Sequence, residues 1–538
     1  MSIFINGNIV TLESEEKAEA FCIRDGFFTA VGSNNEISAL AYENEEVIDL
    51  KGKTVVPGFC DGHMHFLNYA LTKDRVDLSN TKSIEELIIK TQAYIKDRDI
   101  SKGEWIISRG WNDNHLEEKR PLTRWDLDKI SSEHPIFFTR VCGHIGTVNS
   151  KALALLNITG STPNPEGGII DKENGEPTGI LRENALNLAS NHFPPMKKEE
   201  MKRILSAAFK DALKVGLTTL HTDDVSHAGS LQNLLEAYKE LEGENTLPIR
   251  ITLQIYSPTI EDIKKATELG IKTGTGSHLL KVGPVKLYQD GSLGGRTAAM
   301  EEAYCDIESN GVIIYSQKEL DTLTLEAHNS GFQVAIHGIG DRAINMILNS
   351  YENMYNHCGK GDYRPTLIHC QFTNDHILKR FKDLEVIANV QPSFVMTDYP
   401  IVEKAVGKIR SEKSYAWKDI KNNHIPVAFS SDAPIESFNP LLGIYAAVTR
   451  KDLQGNPIMG WHKEQQLTVY EALLAFTQGT CYMNFEENLK GSIAPNKLAD
   501  FVVLSEDITT CEKDYIKNIK VLETYVGGKK MFNTNGTA

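Results

Sequence analysis

His63 and His65, separated by one residue, close the run Val55-Val56-Pro57-Gly58-Phe59-Cys60-Asp61-Gly62. On an extended strand, side chains at i and i+2 point to the same side. Both imidazoles can therefore reach one metal ion while Met64 points away. An HxH pair alone fits two surface histidines after a turn equally well, so the decision rests on partners elsewhere in the chain. The candidates are Lys286, His337, His369 and Asp432, each at the end of a short apolar run. Imidazole and carboxylate suit zinc, manganese, iron or nickel, and the set lacks the cysteines of a structural zinc site. An ion with an open position lowers the pKa of bound water toward ~7. Asp432 could then accept the proton of the attacking water and pass it to a leaving group. Lys286 would be costly as a buried ammonium unless paired, and Asp290 is one candidate partner. Alternatively burial favours the neutral amine, which can add CO2 to become a carbamate.

The elements that must position these residues are eight apolar runs. One enters His63; the others are 217–221, 249–256, 282–288, 332–337, 365–369, 386–391 and 425–432, with helical-period segments between them from about residue 200. Eight strands alternating with helices predict an α/β fold, a (β/α)8 TIM barrel. In such a barrel the strand C-termini converge on one mouth, where active sites are built. The barrel is expected over 57–484, interrupted by an insertion at about 70–200. That insertion is too long for a bare loop and reads as a subdomain over the barrel mouth. Residues 1–56 and 485–538 are short strand-and-turn segments, with Asn6-Gly7 and Asp25-Gly26 matching the hairpin pattern. Neither end has enough apolar surface to fold alone. The two are expected to combine into one small β-sandwich.

Composition narrows the function classes. The 538-residue chain carries a formal charge of −15, which argues against nucleic acid, because phosphate binding needs a basic face. Its eight cysteines include no CxxC pair and read as free thiols of a reducing compartment. No secretory signal is visible at Met1–Gly7, and no window approaches the ~18 apolar residues of a membrane span. A cytoplasmic protein without a membrane partner is the expectation.

Several motifs carry a resemblance across nearly the whole chain. They are Pro57-Gly58-Phe59-x-Asp61-x-His63-x-His65, Lys286-x-x-x-Asp290-Gly291-Ser292-Leu293-Gly294-Gly295-Arg296, and His337-x-x-Gly340-Asp341-Arg342-Ala343. Ile368-His369-Cys370-Gln371, Ser431-Asp432-Ala433-Pro434, Gly491-Ser492-Ile493-Ala494-Pro495 and, in the insertion, Gly143-His144 complete the set. In these the chain resembles the amidohydrolase superfamily, in its YtcJ-like branch (amidohydrolase family 3), which includes N-substituted formamide deformylases. The resemblance implies a barrel joined to a terminal β-sandwich and hydrolysis of amide C–N bonds by metal-activated water. It also supports Lys286 as the family's strand-four lysine, carbamylated or not. Val141-Cys142 stands where the branch often has an acidic or polar residue. The expected ligands are His63, His65, Lys286, His337, His369 and Asp432, around one or two divalent ions, zinc first among them. His63 and His65 would anchor the more buried ion, and His337 and His369 a second.

Trp111, His144 and Arg296 are candidates for substrate contact, with core packing and a structural salt bridge as the competing roles of Trp111 and Arg296. The expected activity is hydrolysis of a non-peptide C–N bond in a small-molecule amide, with Asp432 as the catalytic proton shuttle and a homodimer left open. A deaminase on this scaffold ranks lower, because His337-Gly338-Ile339-Gly340 lacks the acid that deaminases place after the strand-five histidine. Two further readings stay open: a lyase or isomerase using the same metals, and a binding or regulatory protein with a relic site.

Overall fold

The computed structural model describes residues 2–40, 45–79, 81–141, 144–165 and 167–534. Cys142 of the Val141-Cys142 departure and Gly143 of the Gly143-His144 motif lie outside them. Contacts divide the chain into two compact units, 1–67 with 197–538, and 68–196.

The first unit contains an eight-stranded parallel sheet in sequential order. Its strands are β1 (Phe59–Met64), β2 (Leu217–Asp223), β3 (Arg250–Tyr256), β4 (Leu280–Tyr288), β5 (Val334–Gly338), β6 (Thr366–His369), β7 (Ile387–Val390) and β8 (Val427–Phe429). All eight runs read from the sequence are strands, so the α/β barrel expected there is what forms. Between the β1 and β8 ends, the Asp432 N–H donates to His63 O (2.9 Å) and the His65 N–H to Ala433 O (2.7 Å). Gly62 permits this approach, since a Cβ there would lie 3.0 Å from Phe429 O. Connecting helices present apolar faces at helical spacing. Lys198–Lys214 buries Met201, Ile204, Leu205, Ala208, Phe209, Ala212 and Leu213, the i, i+3, i+4 stripe of a helix that covers a sheet.

Both chain ends build the β-sandwich. One sheet orders Phe27–Gly32, Ala20–Arg24, Ser2–Ile5 and Glu46–Asp49; the other orders Asn8–Ile9, Thr54–Pro57, Phe501–Leu504, Val521–Val526 and Lys529–Asn533. Phe501–Leu504 pairs antiparallel with Thr54–Pro57, Val502 opposite Val56. Phe4 stacks on Phe21 (4.8 Å between centroids) and Phe501 on Tyr525 (4.2 Å), so the core needs aromatics from both ends. Asp25-Gly26 closes a hairpin between Ala20–Arg24 and Phe27–Gly32. Asn6-Gly7 does not. It is a corner at which the chain leaves one sheet for the other, with Asn6 at φ 56°. A Cβ on Gly7 would fall 2.6 Å from Leu50 Cδ1, so glycine serves close packing there rather than a two-residue turn.

The second unit has its own five-stranded sheet, ordered Gly168–Glu173, Glu176–Glu183, Ile145–Val148, Ile136–Arg140 and Ile106–Trp111. Leu87, Trp111, Leu116, Leu127 and Phe138 form one of its cores; Phe137, Val148, Leu153 and Leu181 belong to another. Among the described residues, no helix is long and apolar enough to cross a membrane, and all seven described cysteines are free.

Candidate metal centre

Burial in this barrel is unusually polar near the strand ends. His63, Lys286, His337, His369 and Asp432 are all buried. Asp432 sits just past β8 with φ 58°, and its two backbone neighbours at the β1 end bring its side chain to the histidine pair. Asp432 Oδ1 lies 3.4 Å from His63 Nε2 and 3.2 Å from His65 Nε2. Candidate ligand atoms of these three residues lie within 4.8 Å of one another. The His369 ring is 6.2 Å from that of His63 and 4.3 Å from that of His337. The strand ends therefore gather five of the six expected ligands into one chain of contacts.

A shell of polar partners sets which nitrogen each histidine presents. His63 Nδ1 is 2.7 Å from Gln254 Oε1, and the Gln254 amide is oriented by donating to Gly62 O (3.2 Å). His369 Nδ1 is 2.8 Å from Gln391 Oε1, while the Gln391 amide donates to Ser430 Oγ (2.8 Å) and Asn389 O (3.2 Å). His65 Nδ1 donates to Asp223 O (2.8 Å). In all three an acceptor holds Nδ1–H, so that Nε2 is the nitrogen turned toward the centre, the arrangement that orients metal-ligating imidazoles. His337 is turned the other way: Nε2 faces Gly291 O (3.1 Å) and Asp290 Oδ1 (3.3 Å), leaving Nδ1.

The electrostatics agree with a cation site. Burial, followed by the Lys286 charge, holds His63 well below its ordinary pKa; burial and then His337 do so for His369. Both imidazoles are neutral, as ligation requires. For His65 burial works against the charge, but the Asp432 hydrogen bond and charge outweigh it and raise the imidazole to about 9. Asp432 is pushed up by burial and pulled further down by His65, His369 and His63, ending well below the usual carboxylate range. Asp61, two residues before His63, accepts from the Ser431 N–H (3.0 Å) and Oγ–H (2.5 Å) and ties β1 to the β8 loop. Burial nevertheless raises its carboxyl to about 7.

Lys286 is fully buried, and its Nζ has no hydrogen-bond partner. Burial lowers the amine to about 8. Asp290, the partner that a simple ion pair would need, is committed elsewhere: its carboxylate accepts from the N–H groups of Ala299 (2.9 Å), Ile339 (3.0 Å) and Gly340 (2.8 Å). Lys286 Nζ instead lies 3.4 Å from the Tyr288 ring centroid. Together with the unpartnered His63 Nε2, it gives the donor set two buried polar atoms with nothing to bind. Two neutral imidazoles, a third that gives up its proton on ligation, one ionised carboxylate and a depressed amine fit a divalent ion.

Each of the three residues expected at the substrate has contacts of its own. Trp111 is fully buried in the core of the 68–196 unit, its Nε1–H donating to Phe138 O (3.3 Å). It offers no surface to a ligand, and its size is used for packing. His144 is exposed on that unit and bonds Glu183 (Nδ1 to Oε2, 2.9 Å). The Arg296 guanidinium grips Asp306 at 2.7 and 3.0 Å and also donates to Leu293 O, the structural salt bridge rather than a free fork. Reading the sequence for histidines missed Gln254, Gln391, Asp223 and Tyr288. Their signal is a polar residue interrupting an apolar run near its C-terminal end, as in Leu253-Gln254-Ile255 and Val390-Gln391.

Known proteins resemble this chain along nearly its whole length. The amidohydrolase family profile matches residues 46–532. YtcJ of Bacillus subtilis, an amidohydrolase by name, is 33% identical over 535 residues, 99% of each chain. The N-substituted formamide deformylase of Arthrobacter pascens is 27% identical over 549 residues, again 99% of each. The crystal structure of an uncharacterized metal-dependent hydrolase from Pyrococcus horikoshii matches with a TM-score of 0.80 at 29% identity, covering 95% of this chain and 99% of that one.

Proposed function

Since the chain belongs to the amidohydrolase family of hydrolytic enzymes, we propose that it hydrolyses the C–N bond of a small-molecule amide at the barrel mouth. The observation that carries this is the convergence of His63 Nε2 and His65 Nε2 on Asp432 Oδ1, at 3.4 and 3.2 Å. His63, His65, His337, His369 and Asp432 would hold a divalent ion, with Lys286 reaching it as its carbamate. Such an ion, zinc by the chemistry of the donors, supplies a Lewis acid that acidifies water and polarises a carbonyl.

Asp432 remains ionised, its carboxyl held far down first by the His65 hydrogen bond. It is the base placed to take a proton from the attacking water and return it to the amide nitrogen. Gln254, Gln391 and the Asp223 carbonyl keep the imidazoles in the tautomer that ligation needs. Lys286, with its amine lowered to about 8, has a neutral fraction at neutral pH able to add CO2, losing one proton and gaining a carboxylate. The name of the Arthrobacter relative makes N-substituted formamides the first substrates to try. A small-molecule partner, free of nucleic acid and membrane, completes this reading, and the compartment we propose is the cytoplasm.

The test is metal analysis together with turnover. Purified protein should carry at least one equivalent of divalent metal and release formate and amine from N-benzylformamide, losing both metal and turnover in chelator. Asp432→Asn should keep the histidine pair but lose turnover by on the order of 10²–10⁴-fold. Protein that holds no metal, and whose stability is indifferent to chelator, would refute the assignment. Intact mass under native conditions should show one added CO2, lost in Lys286→Met.

A further inference from the structure

A second carboxylate lies beside this centre and has no role in the chemistry above. Asp223 ends β2 and is completely buried. Its backbone carbonyl accepts from His65 Nδ1 (2.8 Å), and its Oδ2 accepts from the Tyr288 hydroxyl (2.7 Å). Its Oδ1 is buried with no hydrogen-bond partner. Tyr288 in turn packs its ring against His337 (5.3 Å between centroids) and places it beside Lys286 Nζ. The Tyr288 hydroxyl is the donor of that contact, which fixes which carboxylate oxygen is left over. Tyr256 stands edge-on to Tyr288 at 5.3 Å. Asp223 is therefore held by its own main chain against one histidine of the centre and by its side chain against Tyr288, which packs on another, with Oδ1 left without a donor.

A buried carboxylate oxygen without a hydrogen-bond donor is costly and calls for one. The group it would take is an N–H, since the amide nitrogen is the donor that the reaction brings to this place. We propose that Asp223 Oδ1 accepts the N–H of the amide under attack, so that the substrates are amides bearing at least one hydrogen on nitrogen, with Tyr256 and Tyr288 flanking the N-substituent. This rests on the amide hydrolysis proposed above. In the overall step a secondary amide and one water give a carboxylic acid and a primary amine. The C–N bond breaks and a C–O bond forms. The proton that Asp432 takes from water goes to nitrogen, and the hydrogen held by Asp223 stays on it. Holding that hydrogen orients the nitrogen, so that the lone pair created by attack faces Asp432 rather than Asp223.

A site built around a buried acceptor rejects an analogue that cannot fill it by as much as ~10⁴-fold. The experiment compares kcat/KM of zinc-loaded wild type for N-benzylformamide and N-benzyl-N-methylformamide, with benzyl formate as an ester that lacks nitrogen. Wild type should favour the N–H amide by on the order of 10²–10⁴-fold. Asp223→Asn keeps an oxygen for the Tyr288 hydroxyl but turns a donor toward the substrate, and should reduce that preference at least tenfold. Metal content of the variant should match wild type. A wild type with no preference between the amides, a variant that keeps the wild-type ratio, or a variant that loses metal overturns the assignment, the last by making Asp223 a ligand. The wild-type ratio needs no variant and stands even where Asp223→Asn does not fold. Turnover of the ester but of neither amide defeats the N–H role while leaving a hydrolase, whereas turnover of none of the three sinks the hydrolytic reading itself.

Discussion

Gln254→Leu isolates what one hydrogen bond does for the proposed metal centre. Gln254 is buried, and its Oε1, 2.7 Å from His63 Nδ1, is what draws the His63 proton away from the centre. Leucine keeps the approximate volume but offers no acceptor. An imidazole that kept its proton on Nδ1 would then carry a buried, unpaired donor, at about 1–3 kcal/mol. The ring escapes by moving the proton to Nε2, where Asp432 Oδ1 at 3.4 Å can receive it. That move blocks the lone pair a metal needs, and binding must restore the costly tautomer. The same 1–3 kcal/mol therefore appears as about a 5- to 150-fold loss of metal affinity at 1.36 kcal/mol per decade, in line with the ~10–100-fold typical of outer-shell changes. The assay is competition for zinc against a chelator of known affinity, at fixed pH. Gln254→Glu restores an acceptor at the same reach and should recover most of the loss. Wild-type affinity in Gln254→Leu, within about twofold, would refute the reasoning, because the tautomer would then be set by something other than this contact.

The remaining predictions concern protons and the barrel floor. His65 is raised to about 9 in the metal-free chain and must lose that proton to bind an ion. Apparent metal affinity should climb about tenfold per pH unit up to pH 9 and then level off; a flat profile between pH 7 and 9, measured by metal titration, would contradict it. The sign for the metal-free fold is the reverse: the His65 contribution is complete below its unfolded pKa of about 6.5 and is lost as pH rises through 9. Away from the site, Glu486 binds both Lys281 (2.6 Å) and Lys490 (2.8 Å), with Glu486 and Lys490 each about 3% exposed. Glu486→Gln strands buried positive charge and should cost about 3–5 kcal/mol in urea unfolding. Adding Lys490→Met should recover much of it, and a loss under 1 kcal/mol would show the charges to be solvated. Burial opposes the Glu486 charge, but Lys490 and Lys281 hold its carboxyl far below the usual range. Its stabilisation is thus present above pH ~4.3 and fades as pH falls.

The barrel was legible because each strand is an apolar run with a turn at its end, and a strand buried on both faces has to be one. The ligand set was legible for a related reason: histidine, lysine and aspartate at the ends of such runs are too polar to be there without partners. The terminal sandwich also followed, since neither end could bury its phenylalanines alone, and Phe4, Phe21 and Phe501 do meet. Local rules failed where long-range packing overrode them. Asn6-Gly7 carries a hairpin signature, yet the strand after it joins the sheet that the C-terminal segment completes. Of the two roles open to Arg296 in its glycine-rich loop, ligand contact or a structural salt bridge, the guanidinium makes the salt bridge, to Asp306 ten residues on.

What the sequence by itself determined is the inventory: which side chains can ligate, and the strand ends that carry them. Period and polarity are local, so one chain suffices to read them. What only the tertiary structure decided is the state of those side chains. Gln254, Gln391, Asp223 and Asp290 come from separate strands and loops, and distances of 2.7 to 3.3 Å between residues as far apart as 191 positions select each tautomer. Hydrogen bonds and desolvation act over a few ångströms of space and are blind to separation along the chain. For that reason HxH could be seen in the sequence, but the nitrogen it presents, the ionised Asp432 and the unpaired oxygen of Asp223 could not.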